Sequence, residues 1–557
     1  MSQTKTARSR KQQLGQFYTP AALAHRLVEE VAITRDSAVL EPSAGDGAFV
    51  LPLIERFMQL HEGNELDRLR RVLTTNVFAA EVDPDAHAAL LSAVEKRWGA
   101  LPPDHNLVCG DFFLTDFEGP PTANSLFAGP RPFDFIIGNP PFGGTKDPRI
   151  QDQLDGRYGE RDGLKIKKET YSFFIVRSVE LLLPHGRLRF ICSDTFLTIP
   201  TMKGLREFLL NRGHASVNSL KTEFAETSQP MVVLDFERAG HSARVEIDGR
   251  VLRRDTIDLT GNRSWQITES LGPLFSGPKL GDLMVASSGM TIGQNDLFVR
   301  DISGDCITEP FDFRFREEPI TLKREIERAR LGYLPESRII EINRQERTAA
   351  TRRNVEIVPL NAPKRVQLPH EDYCYYNKAC RDIVYAPPRW AVFWRDGGDA
   401  VKTFKKNGNW YLHGVGGQPY FKREGLSWQL ISPTLNVRYL PSGYVLDSGA
   451  PCAFLRDGID SDELWFILGW CLTPLCTKIL KDVLNHTRNI QSKDFERLPY
   501  PYWVDAGRKA EAIDRAKGLV KSAMRTVRSW SRSDADVLQL LACYREPDTR
   551  GSALTPR

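Results

Sequence analysis

The sequence predicts an α/β protein, with a doubly wound, Rossmann-like sheet over residues 14–245 and a mixed α+β region over 246–503. Three observations carry this. Short apolar runs alternate with helix-like stretches through the first part of the chain, as parallel strands joined by helical crossovers do. Four of those runs end in segments built from Gly, Pro, Asp, Glu or Asn. Beyond residue 246 the alternation gives way to short β-like pieces with a dense supply of Trp, Tyr and Arg.

Residues 1–13, with Lys5, Arg8, Arg10 and Lys11, read as a basic flexible tail. A helix is predicted over 21–31, with Thr19 as N-cap and Pro20 in the first helical position. A buried strand at 38–40 runs into Glu41-Pro42-Ser43-Ala44-Gly45-Asp46-Gly47, and a helix follows over 49–60. The second strand, 77–80, ends at Glu81-Val82-Asp83-Pro84, and the third, 107–109, at Gly110-Asp111-Phe112-Phe113. The fourth, Phe133-Asp134-Phe135-Ile136-Ile137-Gly138, ends in Asn139-Pro140-Pro141-Phe142. A helix over 171–183, a strand at 187–192 and a closing strand at 232–236 complete the sheet. Further on, helices are expected over 462–483 and 506–544, the latter in a C-terminal helical segment, 504–545. The tail 546–557, rich in Pro, Gly, Ser and Thr, is expected to be disordered.

At 557 residues the chain exceeds a single core. Its 41% hydrophobic and 26% charged residues are those of an ordinary globular protein, and no apolar run nears the roughly 18–20 residues of a membrane span. The nine cysteines are scattered without zinc-like spacing, so a reduced cytoplasm and no metal are expected. A net charge of +4 does not announce nucleic acid, although Arg and Lys crowd 314–353, where salt bridges on a solvated face are an equal reading.

Ligands of open α/β sheets bind beyond the carboxyl ends of the strands, where all four segments fall. Gly45 and Gly47 let backbone amides approach a ligand, Glu81 suits a ribose diol, and Asp111 can accept from an amino group. Taken singly, each has an ordinary explanation as a turn, a solvated acid or a cap. Together with Asn139 at successive strand ends they describe a groove for an adenosyl group beside a second planar amine. The proline-stiffened turn offers that amine a carboxamide, a fixed carbonyl at Pro140 and an aromatic face at Phe142.

These segments, with Gly15-Gln16-Phe17-Tyr18-Thr19-Pro20 before them, resemble the S-adenosylmethionine-dependent adenine-N6 DNA methyltransferases of gamma order from restriction–modification systems. The resemblance covers residues 11–240. It implies a class I methyltransferase fold followed by a target recognition domain, to which Ser288-Gly289-Met290-Thr291 and Gly416-Gly417-Gln418-Pro419 are similar. It also implies S-adenosyl-L-methionine as cofactor, double-stranded DNA as substrate, a separately encoded restriction endonuclease as a possible partner, and a cytoplasmic setting without a membrane. Thr19 and Glu41 would hold the methionine end of the cofactor, with Ser43, Ala44, Gly45 and Gly47 around it. Glu81 would take the ribose, Asp111 the adenine amino group and Phe112 the ring face, with Val82 also in the cofactor site. Asn139, Pro140, Pro141 and Phe142 would act on a flipped base, stacked on Phe142 and Phe224, although Phe224 reads equally as a core residue. Segment 143–168 reads either as a solvated loop or as one that orders on DNA through Lys165, Lys167 and Lys168. The tetrapeptide alone leaves cytosine N4, an RNA base and a protein glutamine amide open. The short stretch before the first motif leaves no room for a fused N-terminal nuclease.

Overall fold

In the computed structural model the described residues are 19–114, 132–141, 148–220, 230–292, 294–319, 351–398, 400–401, 405–406, 409–410, 412–413, 415–526 and 529–545. The chain forms two compact units. The first is Met1–Pro273 with Asp482–His486, and the second Leu274–Lys481 with Thr487–Arg557.

The first unit is built on strands β1 (Val39–Glu41), β2 (Val77–Glu81), β3 (Leu107–Cys109), β4 (Phe133–Gly138) and β5 (Leu182–Ser193). It continues with β6 (Gly213–Leu220), β7 (Met231–Arg238), β8 (Arg244–Ile247) and β9 (Arg250–Arg253). Their order is β9-β8-β6-β7-β5-β4-β1-β2-β3. Strands β1 to β5 are parallel, and β7 runs against both β5 and β6. The order reverses between β1 and β4, and a ligand crevice in such sheets opens at that switch point.

Local sequence explains the elements. All residues of β1 and β2 are buried, because a parallel strand covered on both faces must be apolar throughout. Helices α1 (Ala21–Glu29), α2 (Val50–Leu60), α3 (Glu65–Arg71) and α4 (Pro84–Trp98) line the first half of the unit. Helix α2 buries Val50, Leu53, Ile54, Phe57 and Met58, a stripe at helical spacing. Helix α4 starts with Asp83 as cap and Pro84 in the first turn, and stops at Gly99, whose φ is 97°. Then come α5 (Pro148–Tyr158), α6 (Thr170–Leu181) and α7 (Lys203–Arg212). Helix α6 is buried almost all round, so it is a core helix rather than an amphipathic one.

Several expectations are corrected. The strand expected to close the sheet at 232–236 is interior, because β6, β8 and β9 lie beyond it. The unit accordingly runs past residue 245, through β8 and β9, to Pro273. Helix α1 has Pro20 as its N-cap and takes no side-chain cap. Strand β5 starts directly after α6, bridging Pro184-His185-Gly186 by a register irregularity opposite β4, with His185 at φ 64°. From residue 148 the segment after the tetrapeptide is no loop but α5 and a hairpin, Glu160–Arg161 with Leu164–Lys165. Lys167 pairs with Glu169, and Lys168 lies 2.7 Å from Asp155, so both ammonium groups already have carboxylate partners.

The second unit holds a six-stranded and a five-stranded sheet. The first contains a long ribbon, Cys306–Pro319 against Thr351–Gln367, and Val299–Ser303, Trp390–Phe393, Tyr373–Asn377 and Tyr444–Leu446. Its core stacks Phe313 on Phe393 at 3.9 Å and buries the ion pair Arg300–Glu309 at 2.6 Å. The expected helix over 462–483 breaks into Asp462–Leu472, Pro474–Lys478 and Ile479–Leu484, because Pro474 cannot continue the first. The C-terminal stretch forms Ala506–Thr526 and Ala535–Ala542 within this unit. Among the described residues no single helix is long and apolar enough to cross a membrane.

Candidate active site

The carboxyl ends of β1, β2, β3 and β4 carry Glu41, Glu81, Asp111 and Asn139. The chain after β1 folds back over its neighbours through Gly45 and Gly47, at φ 56° and 101°, a backbone region that glycine reaches without strain. The Ala44 N–H donates to Ala80 O at 3.0 Å, and the Gly45 N–H to Glu81 Oε2 at 2.7 Å. The other Glu81 oxygen accepts from the Asp83 N–H at 2.8 Å. Val82, the next residue, is 51% exposed, an apolar side chain left open beside a buried acid.

Glu41 is 1% exposed. Its Oε1 receives long contacts from Ser43 N (3.4 Å) and Ser43 Oγ (3.5 Å), and its buried Oε2 has no hydrogen-bond partner among the described residues. Burial raises its pKa well above 4.5, and the nearby Glu81 charge adds to the rise, against the Ser43 amide. Glu81 is raised too, chiefly by burial. Room for the Glu41 carboxylate exists only because residue 138 is glycine. A Cβ there would stand 2.2 Å from Glu41 Oε1. This buried acid lacking a donor is suited to a cationic ligand group, which would restore its charge.

Asn139 follows directly. Its Nδ2 donates to Thr19 Oγ1 at 3.2 Å, which fixes the amide plane, and Thr19 is not the cap of α1. Ser43 Oγ reaches Asn139 O at 3.4 Å, which joins the glycine turn to the tetrapeptide. Pro140 is buried and Pro141 half-buried. Thr19, Glu41, Ser43, Ala44, Gly45, Glu81 and Asn139 are thus linked by direct contacts at one edge, and Gly47 closes the turn by donating to Ala44 O at 2.9 Å. Phe142, Phe224 and the segment 15–18 lie outside the described residues.

Asp111 Oδ1 caps its own turn, accepting from the Phe113 N–H at 2.8 Å. Phe112 is 2% exposed and stacks on Phe174 of α6 at 4.9 Å, with the Arg177 guanidinium 5.1 Å from its centroid. Its ring serves the core first and offers a ligand little free face. Sequence reasoning missed Phe174 and Arg177. The one available signal was a charged residue inside an otherwise apolar helix; here Arg177 donates to Phe113 O (2.9 Å) and Tyr158 OH (2.8 Å). A cavity of about 480 Å³ lies against Arg187, Arg189, Asp235 and Glu237, but those charges pair with one another, Arg189 with Asp235 at 2.6 Å and Arg187 with Glu237 at 3.1 Å.

Strand order 3-2-1-4-5-7-6 with the seventh strand reversed is that of the class I S-adenosylmethionine-dependent methyltransferases, and S-adenosylmethionine is the cofactor of that class. Residues 110–219 match the Eco57I restriction-modification methylase family. The chain is 27% identical over 209 residues to Type II methyltransferase M.HincII of Haemophilus influenzae, covering 37% of this chain and 33% of that protein. It is 28% identical over 212 residues to M.BstVI of Geobacillus stearothermophilus, covering 35% and 36%. It therefore spans about a third of the length of these curated relatives. Among solved structures, the Type IIL restriction-modification enzyme MmeI in complex with DNA aligns at a TM-score of 0.54 with 11% identity, over 97% of this chain and 78% of that one. The DrdV–DNA complex aligns at 0.51 with 14% identity, over 95% and 60%. At such identities the likeness is one of fold.

Proposed function

We propose that the chain methylates the N6 amino group of adenine in a short duplex DNA sequence, using S-adenosylmethionine, as the modification enzyme of a restriction–modification system. The observation that carries this reading is Asn139, held by Thr19 between Gly138 and Pro140 at the switch point, next to the buried Glu41. When bound, the cofactor supplies an electrophilic methyl group on a sulfonium centre.

The chain's own residues do the rest. Glu41 takes the cationic end of the cofactor, Glu81 its ribose hydroxyls, and Val82 offers its exposed side chain to the adenine ring. Ser43, Ala44, Gly45 and Gly47 supply the close backbone, with Asp111 and Phe112 beyond. The target amine donates to Asn139 Oδ1 and to the Pro140 carbonyl, which draws its lone pair out of conjugation and aims it at the methyl group. A base inside a duplex cannot reach this edge, so it must be flipped, with Phe142 and Phe224 as stacking faces. A separately encoded endonuclease is the expected counterpart.

The test is methyl transfer from labelled S-adenosylmethionine to DNA, followed by base analysis. N6-methyladenine supports the reading. N4-methylcytosine, or label in protein or RNA, replaces it with another planar amine.

A further inference from the structure

The carboxyl edge of the sheet continues past Asn139 to β5, which pairs with β4 through Phe190 opposite Gly138. Strand β5 ends at Ser193 and runs into a turn, residues 194–199, that is held from several directions. The fully buried Arg206 guanidinium donates to the carbonyls of Phe196 and Ile199. Leu197 O accepts from the Trp265 N–H at 2.8 Å, and Thr198 O from Asn262 Nδ2 at 2.7 Å. Ser193 Oγ accepts from the Thr195 N–H at 3.3 Å.

Two functional groups of this turn, the Asp194 carboxylate and the Thr198 hydroxyl, meet one residue from far along the chain. His486 Nδ1 lies 2.6 Å from Thr198 Oγ1, a separation of 288 residues in sequence, and its Nε2 lies 3.2 Å from Asp194 Oδ1. The second contact is an ion-pair contact. His486 reaches this place because Asp482–His486 packs with the first unit, while Lys481 and Thr487 on either side belong to the second. Thr198 is fully buried, whereas His486 and Asp194 are 23% and 18% exposed.

A turn whose carbonyls are already bonded to Arg206, Asn262 and Trp265 does not need a distant histidine in order to fold. What His486 adds is control of two side chains at the strand end beside the catalytic one. We propose that His486 is a positioning residue for methyl transfer: by holding Asp194 and Thr198 it fixes the 194–199 turn as a wall next to Asn139, against which the target is seated. This rests on the methyltransferase reading above.

The full-length wild-type chain is compared with His486→Ala, His486→Gln, Thr198→Val and the double variant His486→Ala/Thr198→Val. Single-turnover methyl transfer to DNA, the cofactor Kd by calorimetry and the thermal midpoint are measured for each. His486→Ala should slow transfer by about 10- to 100-fold, the scale of a misplaced reactant, while the cofactor Kd stays within about twofold. Thr198→Val should do the same, the double variant should be no slower than either single one, and Gln, which keeps a polar end, should recover part of the rate. An unchanged rate in His486→Ala overturns the inference. So does a loss matched by a weaker cofactor Kd or by a collapse of the midpoint in every variant, Gln included, because that is a merely structural role. A wild-type chain that binds cofactor but methylates no DNA overturns the functional reading instead, and this inference with it.

Discussion

At the scale of the residue, the site turns on a carboxylate that the fold buries next to a missing side chain. Glu41 fits only because Gly138 has no Cβ, so Gly138→Ala must push the carboxylate aside. The displaced atoms are the far end of a flexible side chain, so the cost falls on the ligand contact rather than on the fold. The cofactor Kd should rise about tenfold or more, with the far-ultraviolet spectrum unchanged; an unaltered Kd would remove Glu41 from the cofactor site. The raised pKa of Glu41 sets a sign for pH dependence. The folded chain holds a proton that the unfolded chain loses near 4.5, so this contribution to stability is present below that value and is lost as pH rises through the raised folded value. Without cofactor, the thermal midpoint should fall over that range, and Glu41→Gln should flatten the fall. A cationic ligand favours the ionised form, so binding should release protons. Calorimetry in two buffers of different ionisation heat would detect this, and a heat independent of buffer would speak against it.

At the scale of the element, the strands that position the site were legible for a physical reason. Strands β1 to β4 are short, mostly apolar runs ended by turn residues, the pattern of parallel strands covered by helices. The rest was hidden by weaker patterning. Strand β6 reads Gly213-His214-Ala215-Ser216-Val217-Asn218-Ser219-Leu220, too polar to stand out, and its pairing with β7 and β8 makes it a strand. Strand β5 crosses a Pro-His-Gly sequence that locally signals a turn. The 194–199 turn is defined by Arg206, Asn262 and Trp265, partners that no local pattern can name. Phe112 was legible as an aromatic at a strand end but not as the stacking partner of Phe174. In the second unit, Arg300 and Glu309 are each 6% exposed, and Glu309 also accepts from the Phe311 N–H at 2.8 Å and from Tyr373 OH. Removing one partner strands the other charge. Arg300→Met should therefore lower stability by about 3–5 kcal/mol in urea titration, and a loss below about 1 kcal/mol would mean that the pair is solvated in practice.

At the scale of the whole molecule, the two units differ in how much their architecture says. The first has a strand order that defines its class and a strand-end constellation that suggests its chemistry. The second is a pair of antiparallel-rich sheets with helices, for which a duplex-reading role is proposed from the company it keeps in the chain. The basic cluster at 314–353 falls largely outside the described residues. That makes the product the decisive observable. Genomic DNA lacking adenine methylation is incubated with the full chain and S-adenosylmethionine, and modified positions are read by single-molecule sequencing, with Asn139→Ala in parallel. The account predicts N6-methyladenine confined to one short sequence motif, abolished by Asn139→Ala while cofactor binding persists. Methyl groups on cytosine, on protein, or on DNA undiminished in Asn139→Ala would contradict it.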